Sequence, residues 1–290
     1  MFLSGTRKYH FSMESLINKI KMLVKNARLI AVVGVLLILA LISVAVYLKK
    51  TEVLPQASVH FLNDISMPKA GDRVMIVSPH PDDETIAAGG FIAMAVKNNT
   101  DVKVVLVTDG NKRGLKETRY KEFKKSTGVL GVDEKNLVFL NFADGSLKKT
   151  DQNLLYNKIA EQINSFDPDF IVFPNPKDDH PDHATTGKTV EKILSDRNDK
   201  NVHSLEYLVH HRHFPQPKKL KIDGFLLPPI SLVRFDEEWQ KLMLSPDIEA
   251  QKEKAMLSYK SQLRVPLLRS LMLSFIRKNE LFSINQSLIK

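Results

Sequence analysis

Two short clusters hold the side chains that could do chemistry: His80-Pro81-Asp82-Asp83-Glu84 and, further along, Asp178-Asp179-His180-Pro181-Asp182-His183. His80, Asp83 and His183 make a two-histidine, one-carboxylate set. Three protein ligands with one position left for water is the pattern of a catalytic zinc rather than a structural one. The chain has no cysteine, so any metal must take His, Asp or Glu. Asp82 stands beside a ligand but points elsewhere, which suits a general base taking a proton from metal-bound water, the expected nucleophile. His180, three positions before His183, is placed to stabilise the oxyanion or to protonate the leaving group, with Asp182 fixing its tautomer and orientation. Each carboxylate also has a plainer reading. An Asp ahead of a helix is commonly an N-cap, and Asp82 or Asp83 could cap a helix over 85–98 as Asp182 could cap one over 184–194. Recurrence of the His-Pro-Asp triplet, each copy directly after a strand, favours chemistry.

Such loops need strands to carry them. Apolar runs at 73–78, 102–108, 136–140 and 170–174 alternate with helical stretches at 85–98, 116–130, 153–166 and 184–194. Continuous apolar strands alternating with helices predict an α/β fold, a mainly parallel sheet covered by helices on both faces in a Rossmann-like three-layer arrangement. Ligands bind such sheets at the carboxyl ends of the strands, where 78–84, 108–111 and 175–183 converge. Beyond these, 205–211 and 220–227 read as added strands, and 236–277 as mostly helical with an interruption near Pro266. Arg113 is a candidate for a substrate hydroxyl or phosphate, although an exposed Lys-Arg pair is more often solvated. His210, His211 and His213 could form a second metal site but read better as partly buried or substrate-facing.

Lys and Arg number 42 against 33 Asp and Glu, yet residues 1–28 hold six of the bases and a single acid. With most of the excess in a short leader and no basic stripe interleaved with aromatics elsewhere, nucleic acid is excluded as a partner. Residues 29–48 are twenty without a charge, enough at 1.5 Å per residue to span the roughly 30 Å of bilayer hydrocarbon. A cleaved secretory signal ending near Ser43-Val44-Ala45 competes with this reading, but the run is too long and continues past that point. Lys19, Lys21, Lys25 and Arg28 before the run outnumber Lys49 and Lys50 after it, which predicts a cytosolic N-terminus and an extracytoplasmic catalytic domain. The expected organisation is a basic cytosolic leader at 1–28, a transmembrane anchor at 29–48 contacting the lipid bilayer, a linker at 49–71 and a catalytic domain at 72–290.

The paired motifs HPDDE (80–84) and HPDH (180–183) resemble the PIG-L / LmbE-like family of zinc-dependent N-acetylglucosaminyl deacetylases. Further matches are Thr108-Asp109-Gly110, Arg119-x-x-Glu122 before Leu130-Gly131-Val132, and Phe142-Ala143-Asp144-Gly145, with echoes at 258–262 and 279–280. The resemblance implies Zn2+, or another divalent transition metal, on His80, Asp83 and His183. It also implies Asp82 as general base, His180 at the tetrahedral intermediate with Asp182 supporting it, His210 lining the site, and an N-acetylated amino-sugar substrate. Asp178 stands where some members carry a Tyr near substrate, which makes it a substrate-binding candidate. Rival readings are a membrane-anchored binding protein that keeps the fold without turnover, and a metal hydrolase of another amide or ester.

Overall fold

A computed structural model describes residues 13–51, 54–198, 202–212, 214–233 and 237–285, divided between two units, Met1–Glu52 and Val53–Lys290. The first is one helix, α1, Met13–Thr51. Its portion Leu16–Tyr47 contains a window of mean hydropathy 3.2, none of it buried against protein. By length and composition α1 could cross a membrane, and a helix pairs every backbone group internally, as lipid requires.

The second unit runs β1 (Asn63–Asp64), β2 (Arg73–Ser78), α2 (Asp83–Lys97), β3 (Asp101–Thr108), α3 (Lys116–Val129), β4 (Leu137–Phe142), α4 (Gln152–Phe166), β5 (Phe170–Pro174), α5 (Pro181–Arg197) and β6 (His203–Tyr207). It continues with β7 (Glu237–Met243), α6 (Pro246–Met256), α7 (Lys260–Leu263), α8 (Pro266–Leu273) and β8 (Asn279–Asn285). All eight strands join one sheet, in the order β1-β7-β8-β6-β5-β2-β3-β4. The stretch from β6 to β4 is parallel throughout, and β8 pairs antiparallel with β6 and β7.

Alternate residues of the central strands explain the layers. Val74, Ile76, Val104 and Leu106 enter one apolar cluster with α2, α3 and α6. Met75, Val77, Val105 and Val107 enter another with α4 and α5. A strand buried on both faces has no polar alternation, hence the unbroken apolar runs. From β2 the chain proceeds outward to β3 and β4, then returns through α4 to β5 on the other side of β2. That reversal leaves the loops after β2 and β5 side by side, the crevice in which open α/β sheets bind ligands.

The carboxyl-terminal half departs from its sequence pattern. Residues 220–227 form no strand: Asn279 holds Leu226 by both backbone groups, its Oδ1 accepting the N–H at 2.7 Å and its Nδ2 donating to the carbonyl at 3.1 Å. A side chain thus supplies what a partner strand would. Within the supposedly helical 236–277, residues of β7 are a strand, because β8 offers an antiparallel partner along its whole length.

Candidate active site

The first loop is pinned before it reaches its functional residues. Pro79 O accepts the N–H of Thr108 at 3.0 Å and its hydroxyl at 2.7 Å, and Ser78 Oγ donates to His80 O at 2.8 Å. Helix α2 then begins at Asp83, leaving Asp82 at φ 144°, ψ −28°. A non-glycine residue held there is strained and persists only where its surroundings over-determine it. The surroundings are Glu84, whose Oε2 accepts the Asp82 N–H at 3.2 Å, and Arg119, whose guanidinium donates to Pro81 O at 3.0 Å and Asp82 Oδ2 at 3.3 Å. The turn throws Asp83 back over the loop, where its Oδ2 accepts the His80 N–H at 2.9 Å.

The second loop is set from behind by Asp178. Its Oδ1 accepts the His180 N–H at 2.8 Å, and its Oδ2 accepts those of Val209 and His210 at 3.0 and 2.9 Å. Pro181 then starts α5, with its missing N–H at a position that has no helical acceptor. Gly187 lets α5 lie against the end of β5: a Cβ there would stand 2.2 Å from Pro174 O. That close approach brings His183, one turn earlier on the same face, fully under the first loop.

Three donor atoms meet between the loops. His80 Nδ1 lies 3.1 Å from Asp83 Oδ2 and 3.3 Å from His183 Nε2, and the last two are 3.0 Å apart. Nitrogen and oxygen ligands about 2.0–2.2 Å from a tetrahedral ion stand about 3.3–3.5 Å from one another. The triangle therefore fits a zinc-sized cation after small outward relaxation. The other nitrogen of His80, Nε2, faces Asp182 Oδ2 at 3.1 Å, and Asp182 is itself held by the N–H groups of Gly145 and Leu147 at 2.7 and 3.1 Å. A carboxylate on the far nitrogen of a metal-binding imidazole sets its tautomer and leaves the near nitrogen free to coordinate.

Comparison with known proteins agrees with this arrangement. Residues 75–194 match the family model described as PIG-L: GlcNAc-PI de-N-acetylase. Over that stretch the chain resembles this family. Over 136 residues it is 31% identical to a probable N-acetyl-alpha-D-glucosaminyl L-malate deacetylase 2 of Bacillus cereus, covering 42% of this chain and 61% of that protein. Over 127 residues it is 32% identical to a diacetylchitobiose deacetylase of Thermococcus kodakarensis, covering 40% and 46%. The matched stretch is thus less than two thirds of either relative's length. In fold it resembles the N,N'-diacetylchitobiose deacetylase of Pyrococcus horikoshii, with TM-score 0.55 and 20% identity over 76% of this chain and 86% of that one.

At the site, burial and charge set the protonation states. Burial alone would lower the His80 pKa; hydrogen bonds to Asp182 and Asp83 more than reverse this and raise it to about 9. Burial would raise Asp83, but the charges of His183 and His80 hold it well below the usual carboxylate range. Asp82 has no such partner histidine in contact. Burial pushes it up to about 7 against the pull of Arg119. Burial, reinforced by the charges of His80 and His183, lowers His180 to about 4, and burial with His183 lowers His210 to about 3.

The sequence-predicted residues do not all stand where expected. His80, Asp83, His183 and Asp82 come together, and the His180 ring lies 4.8 Å from that of His80. Asp182 departs from the expected partnership: its carboxylate serves His80, while its backbone N–H donates to His180 Nδ1 at 3.3 Å. Proline at the first helical position makes Asp182 the second residue of α5, so its side chain points toward the first loop. Asp178 spends both carboxylate oxygens on backbone N–H groups. It is buried behind His183, 3.3 Å from Nδ1 but out of line for a hydrogen bond. Arg113 is exposed in the turn after β3; the guanidinium that reaches Asp82 belongs to Arg119.

His210 does face the triad, its ring 4.8 Å from that of His183, whereas His211 Nε2 bonds Ser231 Oγ at 2.8 Å. Among the described residues the pair share no metal cluster; His213 lies outside the described residues. Arg119 and Asp144, joined at 3.1 Å, were not singled out as site residues. The available signal was their place in the family-like matches Arg119-x-x-Glu122 and Phe142-Ala143-Asp144-Gly145. Glu84, buried and bonded to Tyr259 Oη and to Thr85 Oγ1, joins two family-like stretches, HPDDE at 80–84 and the echo at 258–262, whose contact the sequence does not reveal.

Proposed function

We propose that this chain is a membrane-anchored, metal-dependent N-deacetylase acting on an N-acetylglucosamine-type sugar, glycan or glycolipid. The observation that carries the proposal is the triangle of His80 Nδ1, Asp83 Oδ2 and His183 Nε2, closed to 3.0–3.3 Å beside the buried carboxylate of Asp82. Relatives named as deacetylases of N-acetylated sugars support the substrate class. Zinc is the ion we assign to His80, Asp83 and His183; bound there, it would polarise the acetyl carbonyl and acidify water.

The chain's own groups do the rest. Asp82, raised toward neutral pH, accepts a proton from the attacking water as its oxygen bonds to the acetyl carbon. His180 is neutral, and because Nδ1 accepts the Asp182 N–H, its Nε2 carries the hydrogen. We assign that N–H to the developing oxyanion. Collapse breaks the C–N bond, the proton held by Asp82 passes to nitrogen, and acetate and a primary amine leave. His210 faces the same space and is assigned to substrate. We assign α1 to a single membrane span with its N-terminus cytosolic and residues 72–290 extracytoplasmic.

Purified full-length protein loaded with Zn2+ is expected to release acetate from at least one N-acetylhexosamine derivative in a broad panel, and His183→Ala is expected not to. No acetate from any of them, with metal bound stoichiometrically, would overturn the assignment in favour of another amide or ester. Protease accessibility of residues beyond 51 in sealed cells checks the orientation.

A further inference from the structure

Outside the catalytic crevice, the second unit displays large apolar side chains among cations. Leu267 on α8 is 84% exposed and Leu257, after α6, is 49% exposed. Leu257 lines a groove of about 510 Å³ to which Lys260, Arg264, Pro266 and Arg269 contribute and no carboxylate does. One turn beyond Leu267, Ser270 Oγ donates to Lys218 O at 2.5 Å. Arg277, itself buried, donates to Pro217 O at 2.8 Å and Lys221 O at 3.2 Å. These bonds hold the backbone of 217–222, where Leu220, between Lys219 and Lys221, and Ile222, after Lys221, are exposed. Asp223 is the one acid of 217–224. The next residue but one, Phe225, is bonded on both backbone groups by Gln56, so the short turn ending in Phe61, 88% exposed, is attached to the same segment.

Exposed apolar groups on three separate tips, edged by cations, do not make the continuous groove that a peptide or helix needs. They suit an interface whose partner is a fluid plane, apolar beneath and anionic above. Gln56 also follows Thr51, the last residue of α1, by only five positions, and five residues reach at most about 18 Å. If α1 spans a bilayer, the turn bearing Phe61 cannot be far from its surface.

We propose that this surface docks on an anionic phospholipid bilayer, with Leu257, Leu267 and Ile222 entering the boundary between headgroups and acyl chains and Lys260, Arg264 and Arg269 on the phosphates. The proposal deepens the anchored reading, and rests on it for the local concentration of lipid. Docking holds the domain in a fixed attitude to the membrane, where a lipid-borne sugar would present its acetamide.

The absence of cysteine from the chain makes a single label unique. Full-length Leu267→Cys carrying an environment-sensitive fluorophore is incorporated into vesicles of phosphatidylcholine, with or without about 30% phosphatidylglycerol. Lys135→Cys serves as the reference label, since that side chain is 77% exposed. The expected result is a blue shift and roughly threefold stronger quenching by acyl-chain nitroxide at 267 than at 135 in anionic vesicles. High salt or the combined Lys260→Glu, Arg264→Glu and Arg269→Glu variant should abolish both. Equal, weak quenching at the two positions in both compositions would overturn the docking. Flotation separates the two readings: with both compositions α1 anchors the chain, with anionic vesicles only the docking stands and the anchor fails, and with neither both fail.

Discussion

The chain uses His-Pro-Asp twice at neighbouring strand ends, and the two copies are built differently. After β2 the helix starts one residue beyond the triplet, so Asp82 is left at positive φ with its carboxylate on Arg119. After β5 the proline is itself the first helical residue, so Asp182 lies inside the first turn and its carboxylate crosses to the other loop's His80. The histidines differ in the same way. His80 gives Nδ1 to the donor triangle, while the ring of His180 stands beside it and its neighbour His183 completes the set. Identical tripeptides therefore reach different chemistry, because a shift of two residues in helix onset, from Pro181 in one copy to Asp83 in the other, rotates the following side chains by about 200°.

The contrast can be broken experimentally, beginning with the residue on which both loops depend. His183→Ala should abolish stoichiometric metal and reduce acetate release to background, read by metal analysis and by product assay on the same preparation. Asp82→Asn should retain the metal yet lose about 10²–10⁴-fold in kcat, the usual range for a general base; an equal loss of metal would mean that Asp82 is a ligand instead. Asp182→Asn should do the reverse, weakening metal affinity about 10–100-fold through His80. A large kcat loss at full metal occupancy would return Asp182 to the partnership with His180 expected from sequence.

The smallest effect is on pH. His80 has its pKa raised to about 9 in the metal-free protein, so at pH 7 it carries a proton that an incoming cation must displace. Against burial, the charges of Asp83 and Asp178 raise His183 as well, so apparent affinity should rise with pH at least up to about 9. Calorimetry at pH 7 in buffers of different ionisation enthalpy should detect proton release. Asp182→Asn removes the larger of the two hydrogen bonds holding that proton and should move the rise to lower pH.

Much of this was legible in residue order. Apolar runs with no polar alternation could only be strands covered on both sides, and the loops that follow them could only gather at one edge of a parallel sheet. The candidate donor types were legible because few residue types bind metal in a chain without cysteine. Arg119 was legible only as part of a family-like match; its reach to Asp82 was not, since one more basic residue on a highly charged helix carries no mark of burial. The bracing bonds of Asp178 are not legible in the sequence, because an Asp in a loop looks the same whether or not it holds the backbone of residues thirty positions away. The segment 220–227 was misread because its apolar pattern satisfies a strand equally well with or without a partner, and Asn279 took the partner's place.

Order and composition alone determined the covered parallel sheet, the uncharged twenty-residue run and the donor types, since these depend on burial, length and side-chain chemistry. Only the tertiary structure decided which carboxylate braces which histidine and which arginine reaches Asp82. Those pairings depend on helix onset and close packing, such as α5 against Pro174 at Gly187, and they join residues whose separation along the chain says nothing of their separation in space.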